Sequence, residues 1–196
     1  MRRPNENTYW VVPDTFLAGE YPGAREPAIS VERINVYLDC GMDYFIDLTH
    51  THELAPYAGL LAECAAARGV KVTHQRFAID DKGVPKSIAQ MRDILAALNH
   101  ALETGRCVYL HCWGGIGRTG TVVGCYLAEA LATKGEIGNV NDIVPTSESG
   151  VKNADASNAG AVKQLKQLWP QMAKSDRHLH TPETAEQLLW IMDWKR

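Results

Sequence analysis

A thiol and a guanidinium stand six positions apart at Cys112 and Arg118, in the run HCWGGIGRTG from His111 to Gly120. Between them lie Trp113, Gly114, Gly115, Ile116 and Gly117. Glycines let such a loop fold so that its amide N–H groups converge on one anion. The fork of Arg118 matches two oxygens of a phosphate, and a helix opening at this point adds the positive end of its dipole. A thiolate in that field is stabilised, which is what turns a cysteine into a nucleophile. The expected chemistry is attack of the Cys112 sulfur on a phosphoryl group bound by Arg118 and by the loop from Trp113 to Gly117. Thr119 is expected to donate its hydroxyl to the sulfur and help it leave, and His111 to hold the loop through its ring nitrogens. Arg118 and the loop amides carry the transition-state charge, so neither a metal nor another cofactor is needed.

The leaving oxygen of such a reaction needs a proton. Candidate donors are Asp80 and Asp81 in FAIDDKGVPKS, Phe77 to Ser87. In an extended segment successive side chains face opposite ways, so one of the two points into the cleft while the other meets solvent or anchors the loop. Gly83 offers a flexible point and Pro85 fixes the approach to the next helix.

These groups need a scaffold. Short apolar runs alternating with longer helical patterns predict a single α/β domain over residues 1–196. Its central sheet is expected to be mixed, partly parallel, of about four to five strands, flanked by helices. Tyr9 to Ala18 reads as one or two strands broken by Pro13, Asp43 to Leu48 and Val70 to Ile79 as strands, and Glu53 to Arg68 as a helix stopped by Gly69. Ser87 and Gln90 form an S-x-x-Q capping box for a helix with Ile88, Met91, Leu95, Leu98 and Leu102 on one face, ended by Gly105. Cys107 to His111 is a short buried strand, and an apolar helix runs from Arg118 to about Thr133 after the glycine loop. With Val70–Ile79 and Cys107–His111 as parallel neighbours, their carboxyl ends share the sheet edge where ligands bind, which brings Asp80, Asp81 and Cys112 to one cleft. Lys134 to Gly160 reads as a polar surface excursion. Two helices close the chain, about Ala161 to Trp169 and one capped by Thr181 with Pro182 at its first position.

Composition narrows the partners. Twenty basic against 23 acidic residues give a net charge of -3, which implies no broad basic surface for nucleic acid or membranes. Five cysteines form neither an even disulfide framework nor a C-x-x-C metal pair, and a reducing, cytoplasmic setting suits them best. No apolar run long enough for a signal peptide or a membrane span occurs. No oligomeric state follows from these features.

HCWGGIGRTG is similar at every defined position to the H-C-x-x-G-x-G-R-[ST]-G signature of the protein-tyrosine-phosphatase superfamily, and the chain resembles its small dual-specificity-type members. Asp81 to Ser87 (DKGVPKS) resembles the D-x-G-V-P-x-S acid loop of tyrosine-specific relatives, with Ile79-Asp80 where those carry Trp-Pro. The resemblance makes Asp81 the general acid. Glu183 to Leu188 (ETAEQL) faintly resembles a Q-T-x-x-Q segment whose first glutamine positions the hydrolytic water; here Glu183 takes that place and Gln187 the second. A phosphocysteine intermediate is implied, with a phosphorylated protein or a small phosphomonoester as substrate. No lysine lies between Cys112 and Arg118, where inositol-lipid phosphatases often carry extra basic residues, so phosphoprotein comes first. The alternatives are an inositol phosphate or phosphoinositide phosphatase, and a non-catalytic phospho-binding module, whose usual sign is a lost Cys, Arg or acid. An arsenate reductase or sulfurtransferase would want a resolving thiol pair or a different loop.

Overall fold

The computed structural model describes residues 2–137 and 149–195. Five strands, β1 (Thr8–Val12), β2 (Phe16–Gly19), β3 (Tyr44–Asp47), β4 (Thr73–Arg76) and β5 (Val108–His111), form one sheet in the order β1-β2-β5-β3-β4. The first two make an antiparallel hairpin, turning through Asp14 in the left-handed region (φ 60°), and the other pairings are parallel. In this register Gly19, His111, Asp47 and Arg76 fall in one row across β2, β5, β3 and β4. The loops that leave this row carry the chemistry.

The expected adjacency of Val70–Ile79 and Cys107–His111 does not occur, because β3 lies between them. Composition explains the order: β3 (YFID) is buried throughout, whereas β4 (THQR) is polar and partly exposed, as suits an edge strand. The two strands still run parallel, so their carboxyl ends do share an edge.

Alternation along each strand divides the core into two layers. Val108 and Leu110 of β5 join Ile46, Met91, Ile94, Leu95, Leu98, Val122 and Val123 on one face. Tyr109 joins Phe45, Leu17, Ile34, Tyr37 and Tyr57 on the other. The first face is covered by α3 (Ile88–Glu103), α4 (Gly117–Ile137), α5 (Ser149–Leu168) and α6 (Ala185–Met192), the second by α1 (Pro27–Asp39) and α2 (Ala58–Ala67). The sequence pattern does not anticipate α1, which buries Ser30, Ile34, Tyr37 and Leu38.

Local signals set several boundaries. Ser87 caps α3 by accepting the Gln90 amide, but Gln90 does not complete the box: its Oε1 accepts from the Lys86 amide and its Nε2 donates to Ala78 O. Its buried face is Met91, Ile94, Leu95, Leu98 and Ala101, while Ile88 is exposed. The helix expected from Glu53 starts only at Ala58, since Pro56 disfavours helical backbone before it. The polar stretch 134–160 is not simply an excursion: α4 continues to Ile137, and residues from Ser149 onward belong to α5, the rest lying outside the described residues. Weak helix formers such as Asn158 and Gly160 hide α5 in the sequence. Packing restores it, with Asn158, Ala161, Val162 and Leu165 buried at helical spacing. Asn158 Nδ2 donates to Met192 O and Trp194 O, tying α5 to the end of α6. Thr184 and Gln187, not Thr181, form the capping box of α6.

Candidate active site

β5 ends at His111 and α4 begins at Gly117, so the loop from Cys112 to Ile116 spans the gap between a buried strand and a helix N-terminus. Its carbonyls are turned outward and held. Cys112 O accepts from His111 Nδ1 (3.1 Å), Trp113 O from the Tyr21 amide (2.9 Å), Gly114 O from Lys174 Nζ (3.1 Å) and Ile116 O from Thr181 Oγ1 (2.8 Å). The amides consequently face the other way, and Gly115 N–H donates to Cys112 Sγ at 3.3 Å. Among the described residues the amides of Trp113, Gly114, Ile116 and Gly117 donate to nothing. Together with the first turn of α4 they make a concave anion site over a buried sulfur, Cys112 being 3% exposed.

Two glycines are compelled. Gly115 has φ +75°, and a Cβ there would stand 2.4 Å from the Gly19 carbonyl carbon. A Cβ on Gly117 would stand 2.8 Å from Gln187 Oε1. Trp113, by contrast, is 55% exposed and forms a wall of the site mouth, while Ile116 is buried beneath it.

Arg118 is buried and held by more groups than its motif suggests. Nη1 donates to Glu53 Oε1 (2.8 Å) and Ile79 O (3.0 Å), and Nη2 to Glu53 Oε2 (2.9 Å) and Asp81 Oδ1 (3.0 Å). Burial disfavours the Arg118 charge, yet the hydrogen bonds and charge of Glu53 outweigh it and push the guanidinium pKa up. Burial likewise raises Glu53, but the bonds from Arg118 and the His50 amide leave its carboxyl below the ordinary value. Glu53 is a site residue that sequence reasoning missed, because it read there as the first residue of a helix. Pro56, which ends that reading, was the available signal.

The two aspartates part as the extended-chain argument expects. Asp81 meets Arg118, whereas Asp80 Oδ1 pairs with His50 Nε2 at 2.7 Å and its side chain is 71% exposed. Lys82, at φ 59°, makes the turn that follows, closed by Gly83 N–H to Asp80 O (2.9 Å). Gln187 is fully buried and bridges this loop to α6: its Nε2 donates to Gly83 O (2.8 Å) and its Oε1 accepts the Glu183 and Thr184 amides. Glu183 lines the mouth instead. Thr119 Oγ1 is buried with no hydrogen-bond partner among the described residues, so the bond expected from it to Cys112 is not made here.

His111 sits beneath the loop with both nitrogens used. A carbonyl can only accept, so Nδ1 carries the proton donated to Cys112 O, and Nε2 accepts from Tyr57 Oη (2.7 Å). Burial, partly offset by the charge of Asp47, lowers its pKa from 6.5 to about 4. A folded pKa below the unfolded one means that stability is complete above pH 6.5 and is lost as pH falls toward 4. The shift corresponds to about 3 kcal/mol. Urea unfolding at successive pH values should show that slope, and a His111→Asn variant should lack it between pH 6.5 and 4. An unchanged slope in the variant would remove His111 as its source.

A pocket of about 290 Å³ opens over the loop, lined by Glu20, Asp81, Lys82, Trp113, Lys174 and Glu183 among others. Among the described residues no three His, Cys, Asp or Glu groups cluster as metal ligands would, and no helix is long and apolar enough to cross a membrane.

A buried cysteine under a glycine loop, an arginine behind it and a mixed five-stranded sheet define the small dual-specificity class of protein tyrosine phosphatases. The chain belongs to the family described as "Polymorphic toxin system, DSP-PTPase phosphatase", which it matches over residues 29–131, more than half of its length. It is 29% identical over 136 residues to the tyrosine phosphatase homologue 067L of Invertebrate iridescent virus 3, a match covering 65% of this chain and 48% of that one. The chain thus spans about half the length of the curated relative it matches. Among solved structures it is similar in fold to Tk-PTP in its active form (20% identity, TM-score 0.56, covering 95% of this chain and 96% of that). It is similarly related to PTPMT1 in complex with PI(5)P (17% identity, TM-score 0.59, covering 95% and 93%).

Proposed function

We propose that this protein is a cysteine-dependent phosphatase that hydrolyses phosphate monoesters on protein tyrosine, or on tyrosine and serine or threonine alike. The observation that carries this is the Cys112 sulfur at the floor of a loop whose amides at Trp113, Gly114, Ile116 and Gly117 are free among the described residues, with Arg118 following in the first turn of α4. In the first step the Cys112 thiolate forms a bond to phosphorus, the bond to the leaving oxygen breaks, and the proton of Asp81 passes to that oxygen. Water then attacks the phosphocysteine, Asp81 takes up its proton, and Cys112 leaves as thiolate, assisted by the Thr119 hydroxyl. His111 positions the loop through Cys112 O, and Trp113, Gly114, Gly115, Ile116, Gly117 and Arg118 bind the phosphate. This reading treats 1–196 as one phosphatase domain, supported by the reach of Gln187 from α6 to the acid loop. The free thiols support a reducing, cytoplasmic setting.

A second reading, an inositol phosphate or phosphoinositide phosphatase, is favoured by Lys82 and Lys174, which reach the mouth from outside the loop. Lys174 is already paired with Glu20 at 2.7 Å, so phosphoprotein stays first. Phosphate release should be faster from phosphotyrosine peptides than from phosphoinositides, as kcat/KM at matched salt, and should survive a strong chelator. The reverse ranking would move the protein to the inositol class, and a loss restored by zinc or magnesium would refute the mechanism.

A further inference from the structure

A second pocket, about 160 Å³, adjoins the catalytic one and shares two of its walls, Trp113 and Glu20. Its other sides include Tyr21, Arg25, Arg33 and Leu54. Several bonds fix its shape. Tyr21 donates its amide to Trp113 O (2.9 Å) and its hydroxyl to Ala55 O (2.6 Å), which ties this pocket to the glycine loop and to the turn after β3. The segment bearing Arg25 is pinned to α1 where the Ala24 amide donates to Ser30 Oγ (2.8 Å), and Arg33 Nη1 donates to Gly23 O (3.1 Å).

The charges are unequal. Glu20 is the one acidic lining residue, and both its oxygens are engaged, Oε1 by Asn7 Nδ2 (3.1 Å) and Oε2 by Lys174 Nζ (2.7 Å). Among the described residues neither Arg25 nor Arg33 has a carboxylate within ion-pair distance. Two guanidinium groups with unused donors therefore face a pocket whose only carboxylate is already paired, beside the residue that follows the nucleophile. Arginine forks bind planar or tetrahedral anions in pairs of hydrogen bonds.

We infer that this pocket is a second anion subsite, in which Arg25 and Arg33 bind a carboxylate or phosphate carried by the phosphopeptide beside its scissile phosphate. The subsite selects among substrates and takes no part in bond breaking. It rests on the phosphoprotein reading above. Trp113 separates the two anions, and Leu54 and Ala55 cover the aliphatic stem of the flanking residue.

The test compares kcat/KM for a neutral phosphotyrosine peptide with peptides carrying either glutamate or a second phosphate at each flanking position in turn. At least one position should favour the anion by roughly 5–20-fold at low salt, the preference shrinking as salt rises, since both arginines are exposed. Arg25→Ala with Arg33→Ala should bring that ratio to about one, and Arg25→Glu with Arg33→Glu should invert it. Taking a ratio within each variant cancels general damage to the fold. A gain from the second phosphate alone identifies a doubly phosphorylated substrate, and a gain from both anions identifies an acidic motif. A parent protein that hydrolyses aryl phosphate but shows no anion preference at any position overturns the subsite and leaves the phosphatase reading standing. A parent that hydrolyses no phosphomonoester overturns both.

Discussion

Cys112→Ser is expected to lower aryl phosphate hydrolysis by roughly 10⁴-fold or more while the protein stays folded and still binds phosphate. The hydroxyl is nearly isosteric with the thiol and sits at the same buried floor, where it can accept the Gly115 amide as the sulfur does. An alcohol stays protonated at neutral pH and is a far weaker nucleophile than a thiolate. Binding depends on the amides of Trp113 to Gly117 and on Arg118, none of which the change touches. Calorimetric titration with inorganic phosphate should thus give an affinity close to the parent's. The other thiols are controls. Cys125 is buried in α4, where burial pushes its pKa well up, and Cys107 donates its thiol to Asp14 O at 3.4 Å, at the opposite end of β5 from the loop. Cys107→Ser should retain activity. Undiminished turnover by Cys112→Ser would end the phosphocysteine mechanism.

Asp81→Asn is expected to lower kcat by about 10²–10⁴ for an alkyl or poor aryl leaving group, and to remove the alkaline limb of the pH profile. With an activated aryl phosphate, whose leaving oxygen needs little protonation, the loss should be smaller. Arg118 geometry adds an independent readout. Its Nη1 and Nη2 hydrogens are taken by Glu53, Ile79 and Asp81, which leaves Nε as the unengaged donor among the described residues. A phosphate gripped through Nε and Nη2 must therefore displace the Asp81 carboxylate. Replacing that carboxylate by a neutral amide should tighten phosphate binding several-fold even as it slows turnover. Asp80→Asn removes only the pair with His50, whose Asp80 side is largely exposed, and should keep most activity. If Asp80→Asn proves the damaging change and Asp81→Asn behaves like the parent, the acid must be reassigned by one residue.

Glu53 and Gln187 show what escaped the sequence. Glu53 stands 65 residues from Arg118, and Pro56 nearby could at most have taken it out of the expected helix without naming its partner, yet the two form a bidentate pair. Gln187 read as one member of a faint motif, and it turned out to fasten the acid loop to α6. Arg25 and Arg33 lie in a stretch with no anticipated element, and only α1 brings them beside Trp113.

What the sequence determined by itself was whatever short-range physics decides. Glycine spacing around Cys112 and Arg118, the Ser87 cap and the Gly105 stop act within a few residues, through backbone sterics and local hydrogen bonds. The strand–loop–helix unit from Val108 into α4 followed from those rules, and the family came with it. Tertiary structure alone decided the strand order, the second carboxylate on Arg118, the helical state of the polar residues from Ser149, and the helix cap at Thr184 instead of Thr181. Thr181 shows why. Its buried hydroxyl finds its partner at Ile116 O in the anion loop instead of at a helix amide, and the helix starts one turn later at Thr184. Burial makes an unpaired polar group costly, and which partner meets that need depends on segments brought together from far along the chain.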